Sequence, residues 1–259
     1  MLQISDFFKY KYDLSRKLFD YISKNQNLIQ YIETSLEILE LYAKNSFWIP
    51  NLDTDSDEMM AIQELVFRAH RSLEASLLLS ITCYELTAVS ILRDIMEIEL
   101  LLHLFMIEPK EIELWWQTKE KRLKKYSPAE LRKKVARDDM DLKKRLDIDY
   151  KGHSEIMAHA TPISLTLQRG VRTKTLANAD DMSSIWMCLP EIAYHGGNIA
   201  RIVSVFGRIF AKDGDTFKKK VETLDRYSEF IKKYSIVSVL ITSDRLKYGQ
   251  KKVSHSKHQ

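Results

Sequence analysis

A long run without a helix breaker limits the fold of this chain more than any other feature. Residues 58–107 contain neither glycine nor proline, and the whole chain of 259 residues has only 7 glycines and 5 prolines. So few turn-forming residues favour long helices over many short strands. A single straight helix over this run would be about 75 Å long, too long for a compact domain. Because β-branched Ile81 and Thr82 lower helix propensity, the sequence predicts two antiparallel helices at 57–80 and 84–107.

Most other segments also repeat apolar residues at helical spacing, so the sequence predicts an all-α multi-helix bundle. Residues 1–48 predict an N-terminal helical hairpin, residues 49–57 a polar linker, and residues 58–246 the core of the bundle. Residues 247–259 contain four lysines and no acidic residue. This composition is typical of a disordered basic tail.

Two shorter signals concern the second half of the chain. Ser127 as helix cap, Pro128 at the first helical position and Glu130 three residues after the cap form a capping box, which predicts a helix start. Apolar and polar residues alternate around an Arg-Gly pair, which predicts a short β-hairpin near 163–176.

The charged residues are unevenly distributed along a chain whose net charge is only +4. Residues 119–145 carry 12 basic and 5 acidic residues, and this segment predicts a helix rich in lysine and arginine. Such a helix is either a solvated face or a surface that binds anions. The candidate RNA-binding residues in it are Lys121, Arg122, Lys124, Lys125, Arg132, Lys133 and Lys134.

Nothing in the sequence predicts export or a membrane span. The N-terminus lacks an apolar segment followed by a small-residue cleavage site. The most apolar stretch, residues 86–107, carries four charged residues near its middle, too many for a plain span. Cys83 and Cys188 are far apart, and we expect them to be buried thiols in a reducing compartment. The sequence therefore predicts a cytoplasmic protein with no membrane partner.

The helix predicted at 84–107 is apolar on every side, which is typical of the central helix of a domain. Some of its charged residues must then be buried, and a buried charge needs a partner. Arg93 and Glu97 are four residues apart and can pair within the helix. Two interpretations follow: a structural ion pair, or an arginine that points into a cleft and binds an anion.

Glutamate precedes three of the seven histidines by four residues, a spacing that places both groups on one helical face. Facing helices that carry glutamate and histidine build carboxylate-bridged metal sites in bundles. Helix-stabilising contacts between glutamate and histidine explain the same spacing without a metal. The alternative hypothesis of a metal site uses Glu99, His103, Glu155, His159, Glu191 and His195.

The stretch DYKGHSEIMAHATP, residues 149–162, is the best candidate for a site because it concentrates histidine, serine and glutamate. Gly152 predicts a turn, after which a short helix begins at His153 or Ser154. That helix must end before Pro162, because the residue before proline disfavours the helical conformation.

The helix ILRDIMEIELLLHL, with Arg93 and Glu97, and the later segment YKGHSEIMAHATP, with Tyr150, Ser154 and His159, together resemble a group of uncharacterised bacterial helical proteins. Those proteins look related to the HEPN-like (higher eukaryotes and prokaryotes nucleotide-binding) superfamily. The resemblance extends over about 58–162 and implies a HEPN-like helical core.

Several members of that superfamily are RNases of toxin and phage-defence systems. The resemblance therefore implies RNA as a partner and metal-independent cleavage without a cofactor. In that mechanism His159 is the general acid or base and Arg93 stabilises the charge on the phosphorane. Glu97 orients Arg93, and Ser154 donates a hydrogen bond to a phosphate oxygen.

One departure from the superfamily keeps other interpretations open. The catalytic signature places an arginine four to six residues before a histidine on one helix, and none of the seven histidines has this spacing. Arg93 and His159 would therefore have to meet from different helices. The alternative is a non-catalytic scaffold or homo-oligomeric dimerisation protein, in which these side chains are buried and paired.

Overall fold

The computed structural model describes residues 4–46, 57–118, 122–153, 185–209, 229–230 and 232–234. These ranges are helical and contain no strand, which confirms the predicted all-α bundle. The helices with defined bounds in them are α1 (Ile4–Ser23), α2 (Gln26–Ser46), α3 (Asp57–Ile81), α4 (Glu85–Ile107), α5 (Lys110–Gln117), α6 (Arg122–Lys125), α7 (Pro128–Ala136), α8 (Met140–His153) and α9 (Ile185–Ile209).

The turn between α3 and α4 lies where the sequence predicted it. Thr82 donates its hydroxyl hydrogen back to the carbonyl oxygen of Leu78 at 2.7 Å. Cys83 adopts a positive φ of 63°, and the Tyr84 amide donates to the carbonyl oxygen of Leu79 at 2.8 Å. These bonds reverse the chain within three residues, so the two predicted antiparallel helices are confirmed.

Helix α4 lies at the centre of the bundle, as its apolar character predicted. It packs against α3, α9 and α7 and, less extensively, against α8 and α5. Leu92, Ile95, Leu102 and Phe105 are fully buried in it. The buried residues of α1 and α2 belong to the same hydrophobic core, so one continuous core surrounds α4.

The predicted basic helix over 119–145 is wrong as a single helix, because residues 122–145 are divided among α6, α7 and α8. The predicted start of α7 is confirmed. The Oγ atom of Ser127 accepts a hydrogen bond from the Glu130 amide, and Pro128 occupies the first helical position. The helix ends at Arg137, whose φ of 50° interrupts the helical path.

The turn predicted at Gly152 is also wrong, because α8 continues through Gly152 to His153. A helix tolerates an internal glycine at a cost of about 1 kcal/mol relative to alanine. The predicted β-hairpin at 163–176, the basic tail at 247–259 and nearly all of the linker at 49–57 lie outside the described residues.

Two further expectations concern the membrane and the cysteines. None of the helices in the described ranges combines the length and apolar character that a bilayer span requires. Neither cysteine forms a disulfide; Cys188 is buried as expected, whereas Cys83 is half-buried. Burial raises the pKa of the Cys83 thiol to about 12, so this thiol stays protonated.

Gly197 on α9 should not tolerate a side chain. A Cβ atom there would lie 2.3 Å from Cε2 and Cζ of the Tyr234 ring, and the Tyr234 hydroxyl is held by a hydrogen bond to the carbonyl oxygen of Tyr194 at 2.9 Å. We expect Gly197→Ala to lower the free energy of unfolding by about 1–3 kcal/mol, as overpacking does. Urea denaturation measures this change.

Gly152→Ala is the matched control, since no heavy atom lies within 4 Å of a Cβ built there. It should leave the free energy of unfolding unchanged or raise it by up to about 1 kcal/mol through helix propensity. Equal destabilisation by both variants would contradict the packing around Gly197.

Candidate functional site

Helices α4, α8 and α9 bring five acidic and imidazole side chains together inside the bundle. Asp149 and His153 come from α8, Glu191 and His195 from α9, and Glu99 from α4. The first four offer ligand atoms that all lie within 4.8 Å of one another. We call these four residues the carboxylate–histidine cluster.

Helical spacing explains how each helix contributes two members. Asp149 and His153 are four residues apart on α8, and Glu191 and His195 are four apart on α9, so each pair occupies one helical face. The Nε2 atom of His153 lies 3.2 Å from Oε2 of Glu191 and 3.8 Å from Oδ1 of Asp149. The Nε2 atom of His195 lies 3.5 Å from the same Glu191 oxygen. The two faces therefore meet at Glu191.

Glu99 holds the ring of His195 from the opposite side. Its Oε2 atom lies 2.6 Å from Nδ1 of His195, and its Oε1 atom accepts a hydrogen bond from the Asn198 side-chain amide at 2.9 Å. His195 is only 2% exposed. Because Nδ1 is occupied by Glu99, Nε2 faces the cluster, where it has no hydrogen-bond partner among the described residues. A buried nitrogen that has a carboxylate oxygen at 3.5 Å but no hydrogen bond requires an explanation.

The surrounding carboxylates raise the pKa of His195. Burial by itself would lower this pKa, because it disfavours the charged ring. The negative charges of Glu99, Glu191 and Asp149 outweigh that effect and raise the pKa of His195 to about 10. Without a bound cation, His195 is therefore an imidazolium at neutral pH.

The metal-free protein should lose stability as the pH rises from 6.5 to about 10. The folded protein holds the His195 proton more tightly than the unfolded chain, so this stabilisation is complete below the unfolded pKa and is lost as the pH passes the folded pKa. Urea denaturation in EDTA measures the slope. Glu99→Gln should flatten it, because the variant removes the main charge that raises the pKa of His195.

His70→Gln is the control for this measurement. His70 is a half-buried histidine of α3 outside the cluster, so its loss should leave the slope unchanged. A Glu99→Gln variant with the wild-type slope would show that Glu99 does not hold the His195 proton.

The structure brings together half of the residues predicted for a metal site. Glu99, Glu191 and His195 meet as described, whereas Glu155 and His159 lie outside the described residues. His103 on α4 is half-buried and is not a member of the cluster. Burial lowers its pKa, and Arg201 adds to this effect against the opposing charge of Glu99.

Asp149 and His153 lie in the stretch that the sequence analysis named as the best candidate for a site, but they were not predicted as metal ligands, although the signal for them was present. They have the same four-residue spacing as the pairs that were found, with aspartate in place of glutamate. A search for aspartate or glutamate four residues before a histidine identifies Asp149 and His153. Which pairs face each other could not be read from spacing, because it depends on how α8 packs beside α9.

Arg93 and Glu97 form the predicted ion pair within α4, which is confirmed with an Nε–Oε1 distance of 3.3 Å. Tyr150 of α8 joins the pair. Its hydroxyl accepts a hydrogen bond from Nε of Arg93 at 3.0 Å and donates one to Glu97 at 3.3 Å. The Arg93 side chain is 33% exposed, so this arginine is partnered and also reaches solvent.

Arg132 of α7 packs on the same tyrosine. Its guanidinium carbon lies 4.2 Å from the centroid of the Tyr150 ring, and that of Arg93 lies 5.6 Å from it. Nε of Arg132 donates to Asp147 at 2.7 Å. The Arg132 side chain is 13% exposed, and its Nη1 atom is buried without a hydrogen-bond partner in the described part of the chain.

Some residues of the predicted RNA-binding surface form ion pairs with acidic residues. Lys134 and Lys125 pair with Glu111 at 3.0 Å and 3.8 Å. Lys124 and Lys133 are exposed. Lys121 and the side chain of Arg122 lie outside the described residues. The predicted RNA-binding surface stays a prediction.

Ser154 and His159, which were predicted to act with Arg93, also lie outside the described residues. The predicted meeting of Arg93 and His159 stays a prediction. Comparisons with family models, curated proteins and solved structures found no match to this chain. The HEPN-like resemblance therefore stays a prediction as well.

Proposed function

We propose that this protein is a metal-binding helical bundle, in which the carboxylate–histidine cluster holds one divalent transition-metal ion between α8 and α9. The observation that carries the proposal is the convergence of four ligand atoms within 4.8 Å of one another. The buried Nε2 atom of His195, which faces the cluster without a hydrogen-bond partner among the described residues, supports it.

The distances suit a tetrahedral ion. With bonds of about 2.0–2.1 Å to nitrogen and oxygen, neighbouring ligand atoms of a tetrahedral zinc site lie about 3.3–3.4 Å apart. The measured separations of 3.2, 3.5 and 3.8 Å between nitrogen and oxygen atoms in the cluster lie close to this value. The other three distances among the four ligand atoms lie within 4.8 Å, so the side chains would have to move closer together to bind an ion.

The donor set selects the class of metal. Two imidazoles and two carboxylates suit zinc and other divalent first-row metals, whereas Mg²⁺ and Ca²⁺ prefer oxygen ligands alone. Glu99 would then be an outer carboxylate that orients His195 through Nδ1, as in many histidine metal sites. Four protein ligands fill a tetrahedral shell, and such closed sites are structural rather than catalytic.

Titration calorimetry with Zn²⁺, after the protein has been stripped with EDTA and dialysed, tests the proposal. We expect one high-affinity site per chain. His195→Gln removes a ligand and should weaken binding by more than the about 10- to 100-fold that changes to outer residues cost. His70→Gln, the matched control on α3, should bind like the wild type.

Circular dichroism of each variant separates loss of a ligand from loss of the fold. His255 and His258, near the C-terminal end of the sequence, could bind zinc independently of the carboxylate–histidine cluster. The double variant His255→Gln/His258→Gln removes both of them and should keep the high-affinity site. Failure of the wild type to bind, or equal weakening by His70→Gln, would contradict the proposal.

As a second candidate function we propose that Arg93 and Arg132 bind the phosphate groups of RNA, as the HEPN-like resemblance implies. Two observations favour it. The hydrogen bonds of Arg93 to described residues leave from Nε alone, and its side chain is 33% exposed. Nη1 of Arg132 has no hydrogen-bond partner among the described residues, but it is buried and must be uncovered before a phosphate reaches it. The planar guanidinium group of arginine can donate two parallel hydrogen bonds to phosphate oxygens when its outer nitrogens have no other partner.

Incubation of the purified protein with total RNA in EDTA tests this second function. We expect Arg93→Ala and His159→Ala to abolish metal-independent cleavage if the implied RNase mechanism operates, because each removes a group that the mechanism needs. Arg71→Ala, at an exposed arginine of α3, is the control and should cleave normally. Cleavage that survives in Arg93→Ala would contradict the implied RNase mechanism. A wild-type protein that cleaves no RNA would also contradict it and would favour the alternative of a non-catalytic scaffold.

A further inference from the structure

Helix α8 is held on the bundle almost entirely by polar contacts. His153 at its C-terminal end is its single buried residue. Met140 and Ile148 are 72% and 64% exposed, and Leu146 is its one apolar residue that packs, half-buried, against the core. Burial of a leucine side chain contributes about 1.5–3 kcal/mol, so apolar packing alone holds α8 weakly.

The polar contacts of α8 lie at three successive levels. Asp147 binds Arg132 of α7 at 2.7 Å, Tyr150 binds Arg93 of α4 at 3.0 Å, and His153 contacts Glu191 of α9 at 3.2 Å. The first is an ion pair between a largely buried arginine and a more exposed aspartate, and the second is a hydrogen bond between a tyrosine hydroxyl and a partly exposed arginine. The contact at His153, the one buried residue of α8, is the most shielded from water of the three.

A metal ion in the cluster would act at this contact. Two of its ligands, Asp149 and His153, come from α8, and the other two come from α9. An ion bound only when both helices are in place stabilises that arrangement by mass action, by about 4 kcal/mol at a concentration a thousand times Kd.

Tyr150 couples this docking to the two arginines. It lies three residues before His153 on α8, and its ring and hydroxyl contact Arg93, Glu97 and Arg132. If α8 leaves the bundle, the tyrosine leaves with it. Arg93 then loses one of its two partners, and Arg132 loses both the ring on which it stacks and Asp147.

We propose that the metal ion is a switch that docks α8 on the bundle and thereby sets whether Tyr150 holds Arg93 and Arg132 or leaves them open to an anion. This inference rests on the proposed metal site. It assigns to that site a regulatory role. In the metal-bound protein Tyr150 covers Arg93 and Arg132, and in the metal-free protein both arginines are exposed to solvent.

Hydrogen exchange of the full chain, followed by mass spectrometry with Zn²⁺ and with EDTA, tests the switch. Amides of α8 should exchange at least about tenfold faster in EDTA, whereas those of α4 should change by less than about twofold. Asp149→Asn removes a ligand and should exchange quickly in α8 under both conditions. Asp141→Asn, at an exposed aspartate in the first turn of α8, should behave like the wild type.

Arginine modification by phenylglyoxal tests the coupling to Tyr150. Arg93 and Arg132 should react at least about threefold faster in EDTA than with Zn²⁺, while the exposed Arg71 of α3 should react equally in both. Zinc binding with unchanged exchange in α8 or unchanged arginine reactivity would overturn the switch and leave the metal site standing. A protein that binds no zinc would overturn both.

Discussion

Convergence of three half-buried carboxylates from three helices is the constraint on which the rest of this structure depends. Glu99, Asp149 and Glu191 direct carboxylates towards one interior region, and His195 supplies one positive charge when protonated. A buried charge is stable only with a partner and well-placed hydrogen bonds. A divalent ion would add the positive charge that this region needs and would use the nitrogen of His195 that faces it. Metal binding would then compete with the His195 proton, since a ligand nitrogen must be deprotonated.

Helix α8 connects this interior region to the partly exposed arginines. The helix carries two residues of the carboxylate–histidine cluster and Tyr150 within five residues. A movement of α8 therefore changes the cluster and the contacts of the two arginines together. Coupling of this kind needs a distinct element with two arrangements, which a weakly packed helix provides. A structural ion and an anion-binding arginine pair are therefore compatible in one protein. A closed shell of four protein ligands would give the ion no open position for chemistry, so a reaction would have to take place at the arginines.

Much of the fold could be predicted from the sequence because its signals are local. The scarcity of glycine and proline, the β-branched residues before Cys83 and the cap at Ser127 each act within a few residues, and each prediction was confirmed. The predictions that were wrong, the turn at Gly152 and one long basic helix, involve weak local preferences that packing overrides. The site was only half predicted. Spacing identified Glu191 and His195 as one face, but it could not show that Asp149 and His153 face them.

X-ray absorption at the zinc edge tests the central claim most directly, because it reports the atoms around the ion without any variant. For protein loaded with one equivalent of Zn²⁺, we predict a shell of four nitrogen and oxygen atoms at about 2.0–2.1 Å with the outer scattering of two imidazoles. A sulfur neighbour at about 2.3 Å, or a shell of six oxygens without imidazole, would contradict a site built from Asp149, His153, Glu191 and His195.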